Sequence, residues 1–171
     1  MSDLPNNSHE PDFENEASNG ARAFATLHQY LEDDGWHPQK LNDRDMYRMT
    51  FQGKNGLLQC YAQVRIEAEQ LLCYAQAPIK APEDRRDAVA EYLTRANYGM
   101  YVGNFELDYN DGEVRFKSSI DFEDEPLTTN LIRNTIYPSV RLMDTYLPGL
   151  MRVIYGGATP KEAVEEIEKE S

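Results

Sequence analysis

Three consecutive segments between residues 46 and 77 alternate apolar and polar residues with a period of two, the pattern of β-strands that bury one face. Turn sequences at Gly53-Lys54-Asn55-Gly56 and at Glu67-Ala68 separate them. A two-residue loop at Glu67-Ala68 places the apolar rows of the second and third segments on the same face of the sheet. A register shifted by one residue would instead put the two apolar rows on opposite faces. The predicted pairs on that face are Val64 with Leu71, Ala62 with Cys73 and Cys60 with Ala75. The opposite, polar face pairs Tyr61 with Tyr74, Gln63 with Leu72 and Gln59 with Gln76.

The rest of the chain predicts helices and a second hairpin. Helical spacing of apolar residues predicts a first helix over residues 20–34 and a second that opens at Ala81-Pro82. A hairpin turns at Asn110-Asp111-Gly112, with Phe105, Leu107, Tyr109, Val114, Phe116 and Ser118 toward the core. Glu106 and Asp108 then oppose Arg115 and Lys117 on the solvent side.

A long apolar helix is predicted over residues 128–147. We expect Pro138 to kink or interrupt it and Pro148-Gly149 to end it. Thr159-Pro160 begins a short acidic helix. The order α-β-β-β-α-β-β-α, plus that C-terminal helix, predicts an α+β fold. Its five-stranded antiparallel sheet carries helices mainly on one face and is partly open on the other.

Charge is distributed unevenly along this acidic chain, whose formal net charge is −13. Residues 1–19 contain five acidic residues and no Lys or Arg, and we expect them to form a disordered acidic tail. A single domain is predicted over residues 20–157, followed by the short acidic helix over 158–171. A nucleic-acid binder needs a basic surface, so nucleic acid is not an expected partner. With no apolar run of about 20 residues and no signal-like N-terminus, no membrane partner is expected and the cytoplasm is the expected location.

Side chains suited to catalysis or metal binding are scattered rather than grouped. The spacing of the histidines His9, His28 and His37 does not suit a zinc site. We interpret Cys60 and Cys73 as small buried residues. No Gly-x-Ser-x-Gly elbow or phosphate-binding loop is present. The sequence therefore predicts no catalytic residues, no metal, no cofactor and no enzyme activity.

Two groups of residues are candidate interaction sites. The first lies on the polar face of the first three strands and comprises Tyr61, Tyr74, Leu72, Arg48 and Gln63. Tyrosine is common at binding surfaces, although its high β-propensity on an exposed sheet is the alternative explanation. The second lies where the second helix meets the fourth strand and is either a dimer seam or plain core packing: Tyr98, Met100, Tyr101 and Val102.

A family resemblance rests on four segments in the second half of the chain. They are Leu93-Thr94-Arg95-Ala96-Asn97-Tyr98, Gly103-Asn104-Phe105-Glu106-Leu107, Gly112-Glu113-Val114-Arg115-Phe116 and the helix from Leu142 to Met151. In these segments the chain resembles the YbjN family, described as bacterial sensory-transduction regulators. The ending Ile154-Tyr155-Gly156-Gly157 looks most like cyanobacterial versions.

The resemblance implies a fold like that of type III secretion chaperones, which have the same α-β-β-β-α-β-β-α order. It implies a small acidic homodimer that binds peptide segments of client proteins, without enzyme activity or cofactor. The first functional hypothesis is therefore a non-enzymatic protein-binding module, chaperone-like or a regulatory adaptor, that holds its client on the polar face. The alternative is a small-ligand sensor or stress-signalling regulator. Its pocket would lie between the third helix and the sheet and open at Pro138 and Pro148-Gly149.

Overall fold

The fold is a six-stranded antiparallel sheet with four α-helices, and the computed structural model describes it over residues 17–42 and 44–170. The helices are α1 (Asn19–Asp33), α2 (Arg86–Asn97), α3 (Thr129–Ile154) and α4 (Pro160–Glu170). The strands are β1 (Gln39–Lys40), β2 (Met46–Gln52), β3 (Leu57–Arg65), β4 (Gln70–Lys80), β5 (Asn104–Leu107) and β6 (Glu113–Asp121). They lie in the order β1-β2-β3-β4-β6-β5. The α+β prediction is confirmed, but the predicted count of five strands is wrong because β1, at two residues, is too short to show an alternating pattern.

The predicted register of β3 and β4 is confirmed. Val64 lies opposite Leu71, Ala62 opposite Cys73 and Cys60 opposite Ala75. The connection is wider than the predicted two-residue loop, because the strands stop at Arg65 and Gln70 around a 3-10 turn at Ile66–Ala68. Widening by one residue on each side leaves the parity of the pairing unchanged.

The two cysteines are free thiols buried on the core face of the sheet. Burial raises the pKa of the Cys60 thiol to about 12. Burial, with a smaller contribution from Cys60, also raises the pKa of the Cys73 thiol. Both groups are therefore neutral at physiological pH, and the thiolate required for alkylation or metal binding is scarce.

One face of the sheet is covered by helices, and α3 provides most of that cover. Its inward side chains are at most 2% exposed, and they fill the space between α3 and the sheet: Ile132, Ile136, Val140, Met143 and Leu147. This is where the ligand-sensor alternative places its pocket. Within residues 17–42 and 44–170, no helix has both the length and the apolar character needed to cross a membrane.

Helix α3 continues through both of its prolines, so the predicted end at Pro148-Gly149 is wrong. Pro148 has no N–H to donate to the carbonyl of Asp144, and the side-chain amide of Asn55 donates to that oxygen instead (2.9 Å). Near Pro138, the carbonyl of Thr135 accepts hydrogen bonds from the hydroxyls of Ser118 and Ser139. Asn55 thus compensates for Pro148, and burial of Leu150, Val153 and Ile154 favours continuing the helix.

The β5–β6 hairpin departs from the predicted face pattern near its turn. Tyr109 was expected in the core but is 52% exposed, because β5 ends at Leu107 and the turn begins there. The Tyr109 hydroxyl donates to Asp87 (3.1 Å). Asp108 caps the turn by accepting from the backbone N–H of Asn110 (2.8 Å), so Glu106 alone pairs with the cations opposite.

Residues 1–16, most of the predicted tail, lie outside the described residues. At the other end, Thr159 and Glu162 form a capping box that begins α4: the Thr159 N–H donates to Glu162 (3.0 Å) and the Glu162 N–H to the Thr159 hydroxyl (3.3 Å).

Candidate partner-binding face

The face of the sheet opposite α1 and α3 presents one continuous row of side chains across five strands. We call the outward-facing residues of β2, β3, β4, β5 and β6, together with Arg44 in the segment before β2, the open face. Its central row follows from the strand registers: Arg48, Tyr61, Tyr74, Lys117 and Asn104. Tyr61 and Tyr74 are therefore directly opposed on neighbouring strands, with the cationic residues Arg48 and Lys117 at the next positions on either side. Side chains at directly opposed positions are close enough to present one surface.

A second row lies beside the first, toward the β3–β4 turn. It contains Met46, Gln63, Leu72 and Ser119. The structure therefore brings together all five predicted residues of the first candidate site, Tyr61, Tyr74, Leu72, Arg48 and Gln63. Arg48 is exposed and the other four are half-buried, so each offers surface to a partner.

Arg115 belongs to this site although the sequence did not single it out. Its guanidinium carbon lies 4.5 Å from the centroid of the Tyr74 ring, a cation–π distance. Glu106 on β5 accepts a hydrogen bond from the Arg115 Nε (2.7 Å) and another from Lys117. Partial burial by itself raises the pKa of Glu106, but the hydrogen bonds from Lys117 and Arg115 outweigh it and the net pKa is lowered. The ionised carboxylate fixes both cations beside Tyr74.

Sequence reasoning missed Arg115 because its position depends on which strand neighbours β4. Strand β6 follows β4 only after α2 and β5, so the pairing of Gln76 with Arg115 is not a hairpin contact. The alternation of β6 was visible, and its charged side was correctly assigned to the outside. The sequence pattern did not indicate that β6, rather than β5, pairs with β4.

A shallow concavity of about 360 Å³ lies on the open face over Tyr61 and Tyr74. The segment between β1 and β2 forms one wall through Leu41 and Arg44, and Arg115 lies on the other side. Met46 on its floor is buried although it points away from the helices. The concavity therefore combines apolar contact area with the guanidinium groups of Arg44 and Arg115 and the carboxylate of Glu113.

The second candidate site lies in the loop between α2 and β5. Tyr98 and Tyr101 are essentially fully exposed and Val102 is 47% exposed, whereas Met100 is half-buried. The core-packing alternative is therefore wrong for Tyr98, Tyr101 and Val102. A concavity of about 370 Å³ lies beside the loop, lined on α3 by Pro138, Leu142 and Tyr146. Large apolar side chains grouped at a surface are typical of an interface.

Comparison with known proteins gives matches at both the sequence and the fold level. The YbjN family, described as "Putative bacterial sensory transduction regulator", matches residues 24–152. No curated protein matches the chain.

Two solved structures are similar in fold at low sequence identity. One is the ExsC–ExsE complex, with a TM-score of 0.58 and 16% identity over 77% of this chain and 96% of that chain. The other is YbjN from E. coli, with a TM-score of 0.56 and 13% identity over 74% of this chain and 89% of that chain. These likenesses agree with the fold, and the sequence match spans most of the chain. The chain therefore belongs to the YbjN family.

Proposed function

We propose that this protein is a non-enzymatic, cytoplasmic protein-binding module that holds a segment of a client protein on its open face, as a chaperone-like protein or a regulatory adaptor. The observation on which the proposal rests is the central row, in which Tyr61 and Tyr74 are flanked by Arg48 and Lys117. One of the similar structures is, by its name, a complex between two proteins, which supports a protein partner here. The likeness of the ending Ile154-Tyr155-Gly156-Gly157 to cyanobacterial versions of the family stays a prediction.

The chemistry of the open face favours a peptide that offers both apolar and anionic groups. Tyrosine buries a large area with few rotatable bonds, and arginine binds carboxylates through a planar pair of donors. Interface energy concentrates in such residues, particularly Tyr and Arg at the centre of a patch. Leu72 and Gln63 in the adjacent row extend the contact area toward the β3–β4 turn.

Truncating the two central tyrosines tests this site. Tyr61→Ala with Tyr74→Ala is expected to weaken client binding about tenfold or more, because two anchors are removed from the centre of the contact. Tagged wild-type and variant proteins would be used for affinity purification from the native cytoplasm, with co-purifying proteins measured by quantitative mass spectrometry.

Tyr155→Ala is the matched control, because this tyrosine is 66% exposed at the end of α3 and lies outside the open face. Thermal unfolding followed by circular dichroism establishes that the double variant remains folded. A client captured equally by the folded double variant and by wild type would refute the site.

We also propose that the protein acts as a homodimer whose seam contains Tyr98, Met100, Tyr101 and Val102. The exposure of three of these residues supports a contact with a second copy. Tyr98→Ser with Tyr101→Ser is expected to convert the dimer to a monomer, because both aromatic side chains would lose their partner surface.

Sedimentation equilibrium distinguishes the two states, since one chain has a mass of 19.7 kDa and a dimer twice that. Tyr155→Ser should leave the mass unchanged. A monomeric wild type, or a double variant that is still dimeric, would contradict the proposed seam.

A further inference from the structure

The open face carries cations that no acidic side chain neutralises. Arg44, Arg48 and Arg65 are exposed, and in the part of the chain that the structure describes none of them forms a salt bridge. Arg48 and Arg65 donate only to the neutral amides of Gln39 and Gln70. In a protein of net charge −13, these three guanidinium groups are a local concentration of positive charge, although Glu113 and Asp121 also face outward on the neighbouring strand β6.

Helix α1 begins at the end of the sheet, against the β3–β4 turn. Asn19, the first residue of α1, donates to Glu69 in the β3–β4 turn (2.9 Å). Gly20 packs against the same turn so closely that a Cβ there would lie 2.1 Å from the carbonyl oxygen of Ile66. Ser18, the N-cap of α1, therefore lies at the end of the sheet where Arg65 is found.

Residues 1–16 have the charge and the reach to cover the open face. They contain five carboxylates and no Lys or Arg. Four of these, Glu10, Asp12, Glu14 and Glu16, alternate with other residues, so an extended backbone would project all four to one side. Sixteen extended residues span about 50 Å, whereas the path along β3 from Arg65 to Tyr61 is roughly 13 Å.

We propose that residues 1–16 bind in cis across the open face, with their carboxylates at Arg65, Arg48 and Arg44, and compete there with the client. The acidic segment acts as an internal substitute for the partner, which is an anionic extended peptide. The competition rests on the proposed function, but the binding of the segment to this face does not.

The experiment uses the full-length chain carrying a nitroxide on Ser8→Cys. The buried Cys60 and Cys73 have raised pKa values and should not take the label. Loss of amide signal in ¹⁵N-labelled protein then maps where the segment lies. We expect at least a twofold loss at Tyr61, Gln63 and Leu72, no loss along α2, and recovery of the signals as the salt concentration is raised.

Charge variants make the test specific. Arg44→Gln with Arg48→Gln and Arg65→Gln should abolish the signal loss. Replacing Arg95, Lys161 and Lys169 with Gln, the same change in net charge away from the open face, should preserve it. No loss on the open face, equal loss over the whole surface, or loss that survives the three open-face substitutions would overturn the proposal. If amide signals were lost only when nitroxide-labelled copies were mixed with ¹⁵N-labelled copies that carry no nitroxide, the segment would bind between molecules, and the intramolecular proposal would be wrong.

A second measurement separates this proposal from the proposed function. Replacing the four alternating acids with Asn or Gln is expected to increase client capture several-fold, and unchanged capture would refute the competition. Client binding that depends on Tyr61 and Tyr74 in a protein whose segment does not reach the open face would leave the function intact and refute the inference alone.

Discussion

Gly112→Ala is expected to destabilise the protein by about 3 kcal/mol, since a left-handed backbone costs an alanine roughly 1–2 kcal/mol and the steric overlap adds a similar amount. Gly112 has a φ of +80°, and a Cβ there would lie 2.0 Å from the carbonyl oxygen of Ala81. The approach is enforced by a hydrogen bond from the Ala81 N–H to the Gly112 carbonyl (2.8 Å). It joins the β5–β6 turn to the segment that leads into α2, at the start of the strand that carries Arg115.

Gly157→Ala separates the two contributions. Its φ is +69°, but no atom lies within 4 Å of the added Cβ, so only the backbone strain of about 1 kcal/mol is expected. Urea unfolding followed by the fluorescence of Trp36, the single tryptophan, gives both values. Equal losses in the two variants would show that the close approach to Ala81 contributes nothing.

Asp34→Ala is expected to lower stability by about 2 kcal/mol, because hydrogen bonds to a charged acceptor are each worth roughly 1.5–3 kcal/mol and water recovers part of this at an exposed carboxylate. Asp34 accepts from the Tyr30 hydroxyl (3.0 Å), the Trp36 ring N–H (2.9 Å) and the Tyr137 hydroxyl (2.9 Å). One carboxylate thus ties α1 and the loop after it to α3. Asp33→Ala is the control, since Asp33 accepts only an exposed hydrogen bond from Gln29 on the same helix and should cost less than about 0.5 kcal/mol.

The loss caused by Asp34→Ala should depend on pH. Burial by itself raises the pKa of Asp34, but the hydrogen bonds from Trp36, Tyr137 and Tyr30 outweigh it and the net pKa is lowered. A lowered folded-state pKa means that the stabilisation is complete above the unfolded value of about 3.9 and disappears as pH falls through the folded value. The difference in unfolding free energy between wild type and Asp34→Ala should therefore be constant from about pH 5 to pH 8 and shrink below about pH 4. A difference that persists at low pH would show that the carboxylate charge is not responsible.

The residues that could be predicted from sequence are those governed by local periodicity. A period of two and the parity of one loop predicted six of the cross-strand pairs between β3 and β4, including Tyr61 with Tyr74 and Gln63 with Leu72. The buried residues of α2 are likewise spaced at the period of a helix: Val89, Tyr92, Leu93 and Ala96.

The features that could not be predicted depend on partners distant in the sequence. Helix α3 passes through Pro148 because Asn55, about 90 residues earlier, supplies the missing donor. The exposure of Tyr98 and Tyr101 depends on how the loop after α2 turns back to β5. There the Phe105 N–H donates a hydrogen bond to the side-chain oxygen of Asn97 (2.7 Å). Local sequence patterns contain neither piece of information.

The hydrogen bonds that α3 accepts from outside the helix also bear on how this chain folds. Because Asn55 and Ser118 supply hydrogen bonds to α3, the isolated α3 sequence lacks donors that only the assembled sheet provides. We therefore expect the helix to consolidate after the strands, through contacts distant in sequence that slow folding. During synthesis from the N-terminus, those strands leave the ribosome before α3 does, so the template is complete when the helix emerges.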